Sequence, residues 1–259
     1  METILDKIVF EKKIEVSNKK KVIDIKSLEK TILFSRNTYS LKDALTNNKT
    51  GIIAEFKRNS PSKGIINNEA LVNEVTTDYC NAGVAAISIL TETNFFKGND
   101  NDIISSRTVN CPILRKDFII DPFQIIEAKS IGADAILLIS AILTKNEIKQ
   151  FTKLAKSLKL DVLFEIHNKN EFDKICDDID IVGVNNRDLH SFKVDINNSI
   201  MLSEYIGNNF LKVSESGISD AKNIFKLKQY GFNGFLIGEN FMKEKNPGLA
   251  CKNFIETLL

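Results

Sequence analysis

Glu55 and Lys57 stand two residues apart in the stretch IIAEFKRNSPSKG, residues 52–64, where the neighbouring Ile52, Ile53, Ala54 and Phe56 are all apolar. Strand side chains alternate, so Ile53, Glu55 and Lys57 share one face while Ile52, Ala54 and Phe56 make a wholly apolar second face. By the same parity Lys116 lies with Leu114, Glu165 with Leu163, Asn185 with Ile181 and Gly183, and Glu215 with Leu211 and Val213. Arg187 comes just beyond Asn185. Three carboxylates and three cations at the ends of apolar runs must pair with one another or with a ligand, because burying any of them alone is costly. Close opposite charges also move pKa values, which makes lysine and glutamate usable acids and bases near neutral pH. The chemistry these residue types suit is proton transfer on an anionic substrate.

Such groups need elements that bring them together. From residue 51 onward short apolar runs recur: GIIAEF (51–56), VAAISIL (84–90), PILRKDF (112–118), DAILLI (134–139), DVLFEI (161–166), DIVGVN (180–185), FLKVSE (210–215) and GFLIG (234–238). They are short, rich in Ile, Val and Leu, and largely apolar on both faces, as parallel strands covered on each side are. Helix signals lie between them. Asp121-Pro122 supplies a cap and a first-turn proline, Thr144 and Glu147 have capping-box spacing, and Ile148, Phe151, Leu154, Ala155 and Leu158 then form one face. Ser219 or Asp220 can start a helix that stops at Gly231.

Eight strands alternating with helices, at roughly 26 residues per unit, predict a (β/α)8 TIM barrel. A doubly wound open sheet is the rival, but no GxGxxG turn follows the first strand. Residues 1–50 stand apart as an N-terminal helical extension, with an apolar stripe at Ile4, Leu5, Ile8 and Val9 and a second short helix over 40–46. This segment is expected to cap the barrel bottom or pack beside its mouth. No low-complexity linker separates it from the barrel over 51–259, so residues 1–259 read as a single domain. In a barrel the C-terminal strand ends build the active site, and five of the eight strands carry an inward polar group only there. Gly217 and Gly238 fall where strands seven and eight turn toward helices, and exposed N–H groups at those two turns commonly bind phosphate.

Composition narrows the class. The 259 residues carry 35 basic and 34 acidic side chains, a formal charge of +1, so no global field points to nucleic acid or a membrane. No run reaches the ~18 apolar residues of a membrane span, and METILDKIVFEKK lacks a signal-peptide core, so a cytoplasmic location is expected. Cys80, Cys111, Cys176 and Cys251 are scattered and read as small buried or half-buried thiols, and Lys19-Lys20-Lys21 reads as a solvated linker.

The motif IIAEFKRNSPSKG resembles the signature of the indole-3-glycerol phosphate synthase family of tryptophan biosynthesis. So do ILRKDFIIDPFQIIEAKSIGADAILLI, LFEIHN, VGVNNRDL, VSESGI and FLIGENFM, in the family's order, and the likeness reaches back to ILDKIVFEKKIEV. The resemblance implies decarboxylating ring closure of 1-(2-carboxyphenylamino)-1-deoxyribulose 5-phosphate to indole-3-glycerol phosphate, CO2 and water, with no cofactor and no metal. It implies that Lys116 is the general acid at the ketone and that Glu165, helped by Glu55, is the acid/base of the dehydration. Lys57 would hold the substrate carboxylate or phosphate and share proton delivery, and Asn185 and Glu215 would orient the substrate. Ser60, Ser216, Gly217 and Gly238 would bind phosphate and hydroxyls, with Arg187 and Glu239 also in the substrate-binding set. Glu239 is a departure, since some relatives have a small residue there; a backbone N–H contact survives the change and a side-chain hydroxyl contact does not. Phe118 and Leu138 are expected to wall the aromatic ring, and RNSPSKG to close over the substrate. His167 and His190 are read as neighbours of the chemistry rather than participants.

The expected partner is a small phosphorylated substrate, with no nucleic acid and no membrane. The chain is expected to be a monomer without a second catalytic domain, associating at most weakly with other tryptophan-pathway enzymes. Rival readings are another phosphosugar barrel resembling phosphoribosylanthranilate isomerase, a barrel that only binds a phosphorylated ligand or flavin, and a Schiff-base aldolase using Lys116.

Overall fold

Eight strands run parallel and close on themselves: β1 (Ile52–Phe56), β2 (Ala86–Leu90), β3 (Ile113–Lys116), β4 (Ala135–Ile139), β5 (Asp161–Ile166), β6 (Ile181–Asn185), β7 (Leu211–Glu215) and β8 (Phe232–Ile237). The computed structural model describes residues 3–188 and 191–259, so His190 lies outside the described residues. Closure is completed by β1, which pairs with β2 (Glu55↔Ser88) on one side and with β8 (Ile53↔Leu236) on the other. The runs are fully apolar on two faces because each strand has two buried sides. One apolar layer, with Ile52, Ala54, Phe56, Ile136 and Leu138, packs against the helices. The other, with Ile53, Leu114, Leu137, Leu163 and Val213, fills the barrel interior.

Local signals set the helices that follow. After α4 (Val72–Asn81) and α5 (Asp100–Ser105), α6 (Pro122–Ser130) starts on Asp121, whose side chain accepts the Phe123 N–H at 2.8 Å. Thr144 and Glu147 cap α7 (Lys145–Ser157) reciprocally, and Ile148, Phe151, Thr152 and Ala155 form its buried face. A 3-10 turn (Lys169–Lys174) follows β5 in place of a full helix. The remaining helices are α8 (Asn197–Ser203), α9 (Ala221–Gln229), α10 (Glu239–Met242) and α11 (Pro247–Glu256). Among the described residues no helix is long and apolar enough to cross a membrane.

The N-terminal extension serves both ends of the barrel. Of its helices α1 (Ile4–Val22), α2 (Ile25–Glu29) and α3 (Leu41–Asn47), α3 pushes Leu41 and Leu45 into the interior layer, plugging the N-terminal strand ends. α1 instead brings Ile4, Leu5 and Ile8 to the opposite opening. Lys19, Lys20 and Lys21 are the last turn of α1, not a linker. Lys19 Nζ reaches Asp100 at 2.7 Å and Glu127 at 2.9 Å, and Lys20 pairs with Asp121 at 2.8 Å, so the charges dock α1 against the barrel.

Candidate active site

The polar residues marked by strand parity converge. Glu55, Lys57, Lys116, Glu165, Asn185, Arg187 and Glu215 all line one cavity of about 470 Å³ at the C-terminal mouth. Ser60, Ser216, Gly217, Gly238 and Glu239 line it as well. Each strand delivers its group by the same alternation: Leu114 points into the interior layer and Lys116, two residues on, emerges above it.

Ion pairs divide the lysines between carboxylates. Lys57 Nζ lies 2.8 Å from Glu55 Oε1. Lys116 Nζ lies 3.3 Å from Glu165 Oε2 and 3.5 Å from Glu215 Oε2. Burial disfavours the Lys116 charge, but Glu165, Glu215 and Glu55 together outweigh it and hold its pKa above the usual lysine range. Glu165 is driven the other way. Burial opposes its ionisation, yet Lys116, His167 and the Asn185 side chain keep its carboxyl well below the ordinary range. Glu215 takes the protonated role. Burial and then the Glu165 charge push its carboxyl up to about 8 against the pull of Lys116. The two environments move the proton affinities of neighbouring glutamates in opposite directions.

Two residues that the sequence reading gave no part in the chemistry complete this arrangement. His167 Nε2 sits 3.2 Å from Glu165 Oε1 and its Nδ1 3.7 Å from Glu171 Oε2. Burial works against its charge, but the two glutamates raise the imidazole to about 10. Gly183, in the middle of β6, has no side chain because a methyl there would run into the Glu215 carboxylate. A glycine inside a strand was the available sequence signal for such a close approach.

The mouth also holds unused hydrogen-bonding capacity. Ser60 Oγ and both Glu215 carboxylate oxygens are buried without a hydrogen-bond partner among the described residues. Ser216 (φ 70°) and Gly217 (φ 78°) are consecutive left-handed residues in the turn after β7, and both line the cavity. Gly238 faces Glu55 from the other side. Arg187 Nη1 reaches Ser62 Oγ at 3.4 Å and Phe192 O at 3.3 Å, linking the loop after β6 to RNSPSKG. That loop folds back through a two-residue antiparallel pair, Asn59–Ser60 with Gly64–Ile65. Glu239 stands at the rim, 3.5 Å from Lys63.

The apolar wall differs from the expectation in one residue. Phe118 lines the cavity, but Leu138 belongs to the layer facing the helices, and Leu137 and Ile139 take its place. AILLI, residues 135–139, is apolar throughout, so nothing within the strand marks which parity points inward. Ile4, Leu5, Ile8 and Phe96 add further apolar lining.

Residues 5–254 match the sequence model of the indole-3-glycerol phosphate synthase family. The chain belongs to that family. A Bacteroides thetaiotaomicron protein named indole-3-glycerol phosphate synthase is 44% identical over 259 residues, covering 100% of both chains. One of the same name from Thermoanaerobacter pseudethanolicus is 45% identical over 244 residues, 93% of this chain and 92% of that one. Another from Acinetobacter baylyi is 37% identical over 251 residues. Among solved structures, a chain from the Pyrococcus furiosus tryptophan synthase complex superposes with a TM-score of 0.58 at 16% identity, covering 82% of this chain and 98% of that one. A thiamine phosphate pyrophosphorylase from Pyrococcus furiosus gives the same score at 14% identity. Those two likenesses concern the fold alone. Residues from Glu55 in IIAEFKRNSPSKG to Gly238 in FLIGENFM are gathered around the cavity.

Proposed function

We propose that this chain closes the indole ring of 1-(2-carboxyphenylamino)-1-deoxyribulose 5-phosphate, releasing CO2 and water and leaving indole-3-glycerol phosphate. The observation that carries this reading is Lys116, a half-buried cation between Glu165 and Glu215 in the barrel mouth beside the Ser216–Gly217 turn. The substrate phosphate lies against the Ser216–Gly217 turn and the N–H groups following Gly238, with Ser60 Oγ a further donor. Its ring carboxylate faces Lys57, and its aromatic ring rests on Phe118, Leu137 and Ile139.

As the aromatic carbon attacks the ketone, Lys116 protonates the developing alkoxide. The new carbon–carbon bond places the carboxylate on a saturated ring carbon beside the iminium carbon, and CO2 leaves as the electrons of its bond pass into the iminium and restore the aromatic ring. Loss of water then needs a base for one proton and an acid for the departing hydroxyl. Glu165 serves this step, helped by Glu55, while Asn185 and Glu215 orient the hydroxyls and Arg187 holds the covering loop. Glu239 offers its backbone N–H at the phosphate end. The raised Lys116 pKa argues against imine formation, which needs a neutral amine. We read the extension as part of the barrel's folding unit, because Leu41 and Leu45 pack inside it.

The test is direct. Purified chain is given the carboxyphenylamino-deoxyribulose phosphate and indole fluorescence is followed. Folded protein without product sinks the reaction assignment, and full turnover by Lys116→Ala sinks the acid assignment.

A further inference from the structure

Cys80 and Cys111 meet at the end of the barrel opposite the cavity. Cys80 lies in the last turn of α4, where the Gly83 N–H donates to its carbonyl at 3.0 Å as the chain swings toward β2. Cys111 comes just before β3. The β2–β3 register, Ile87↔Ile113, sets it beside Ala85, whose carbonyl accepts its thiol at 3.8 Å. Both cysteines line one surface depression with Ala44, Asn48 and Pro112, and none of its residues belongs to the catalytic cavity. Cys111 is buried and Cys80 is half-buried, so Cys80 is the more accessible of the two.

The surroundings favour a thiolate on the accessible partner. The neighbouring Cys111 side chain, with the Asn110 backbone and the Arg107 charge, overcomes burial and brings Cys80 down to about 6. The same contact, reinforced by burial, pushes Cys111 up so that it keeps its proton. Arg107 is fixed in place by Asp134 at 2.5 Å and by the Cys111 carbonyl at 2.9 Å. A more accessible thiolate beside a protonated, buried second thiol is the arrangement of a redox-responsive cysteine with its resolving partner.

We propose that Cys80 and Cys111 are a reversible thiol–disulfide couple, closed by hydroperoxides and reopened by small thiols. In the first step the Cys80 thiolate attacks a peroxide oxygen. The O–O bond breaks, a sulfenic acid forms on Cys80, and the leaving hydroxide takes a proton to become water. Cys111 sulfur then attacks Cys80 sulfur; the S–O bond breaks, the S–S bond forms, and the Cys111 proton leaves with the hydroxyl as a second water. Two thiols lose two electrons, and one peroxide becomes two waters. Two equivalents of a small thiol reverse the change and leave as their own disulfide.

Cys176, also half-buried but remote from this pair in the loop after β5, is the internal control. The full chain is treated at neutral pH with a small excess of hydrogen peroxide, alkylated under denaturing conditions, and read by intact mass and peptide mapping. The expected result is a mass loss of two hydrogens, a linked peptide joining Cys80 to Cys111, recovery of both thiols with dithiothreitol, and Cys80 consumed about tenfold faster than Cys176. In Cys111→Ser the expected product is a Cys80 sulfenic acid trapped by dimedone. Wild-type chain that gains oxygen with no linked peptide, or that loses Cys176 before Cys80, overturns the proposal whether or not the variant folds.

Discussion

Arg115 and Lys116 are adjacent on β3 and point to opposite sides of it, and each is the centre of a buried ionic cluster. On the outer side Arg115 is fully engaged. Its Nε donates to Thr91 Oγ1 at 3.1 Å, Nη1 to the Gln124 carbonyl at 3.0 Å, and Nη2 reaches Glu127 at 2.8 Å and Asp100 at 3.0 Å. Asp117 joins it at 3.2 Å and is held in turn by Lys12 of α1 at 3.0 Å. On the inner side the Lys116 contacts are longer, at 3.3 and 3.5 Å, Ser60 Oγ and the Glu215 oxygens have no hydrogen-bond partner among the described residues, and one glutamate has a raised proton affinity where its neighbour has a lowered one. A saturated cluster fixes α1, α6 and β3 to one another. An unsaturated one, in the same fold and on the same strand, keeps capacity for a charged substrate and for proton movement.

Mutating the two centres should therefore give opposite signatures. Lys116→Ala is expected to lower ring-closing turnover by about 10²–10⁴-fold while chemical denaturation shows a folded chain. Arg115→Met should instead cost about 3–5 kcal/mol in urea unfolding, because Asp117 and Glu127 are left buried without their shared partner. Any surviving Arg115→Met fold should retain turnover to within about tenfold of wild type, a loss that reflects a displaced Lys116 rather than missing chemistry. Equal losses of activity and stability in both variants would erase the distinction between the clusters.

Glu215→Gln sharpens the comparison through pH. The folded-state pKa of Glu215 is raised to about 8 from its ordinary 4.5, so between these values the native state binds a proton that the unfolded chain has released. Its contribution to stability is complete below pH 4.5 and is lost as pH rises through 8, at up to about 1.4 kcal/mol per pH unit. Glutamine mimics the protonated carboxyl, and urea unfolding across this window should show a flatter pH dependence in the variant. An unchanged slope would mean that Glu215 is ionised in the free enzyme.

His167→Gln should have the smallest effect. Removing the cation beside Glu165 lets that carboxyl rise toward its ordinary range, so the acidic limb of the pH–rate profile should move up by about one unit. Turnover at the optimum should fall by no more than about tenfold. A limb that stays put would assign the low Glu165 pKa to Lys116 alone.

Alternation along a strand is a local property, so the inward set from Glu55 to Glu215 was legible in the chain, as were the caps on α6 and α7 and the turn glycines. Where a strand has no polar marker at its end, as in AILLI (135–139), both parities look alike, and Leu138 fell on the wrong side. His167 shares the parity of Glu165, but its pairing with Glu165 and Glu171 is set only where they meet in space.

The order of residues by itself determined which side chains could face the barrel axis, since the backbone period of two admits only two choices. Only the closed tertiary structure decided that Lys57 pairs with Glu55 while Lys116 sits between Glu165 and Glu215. Ion pairing and proton affinity depend on separation and burial, and in a barrel these are set by strands brought together from 50 to 100 residues apart in the chain.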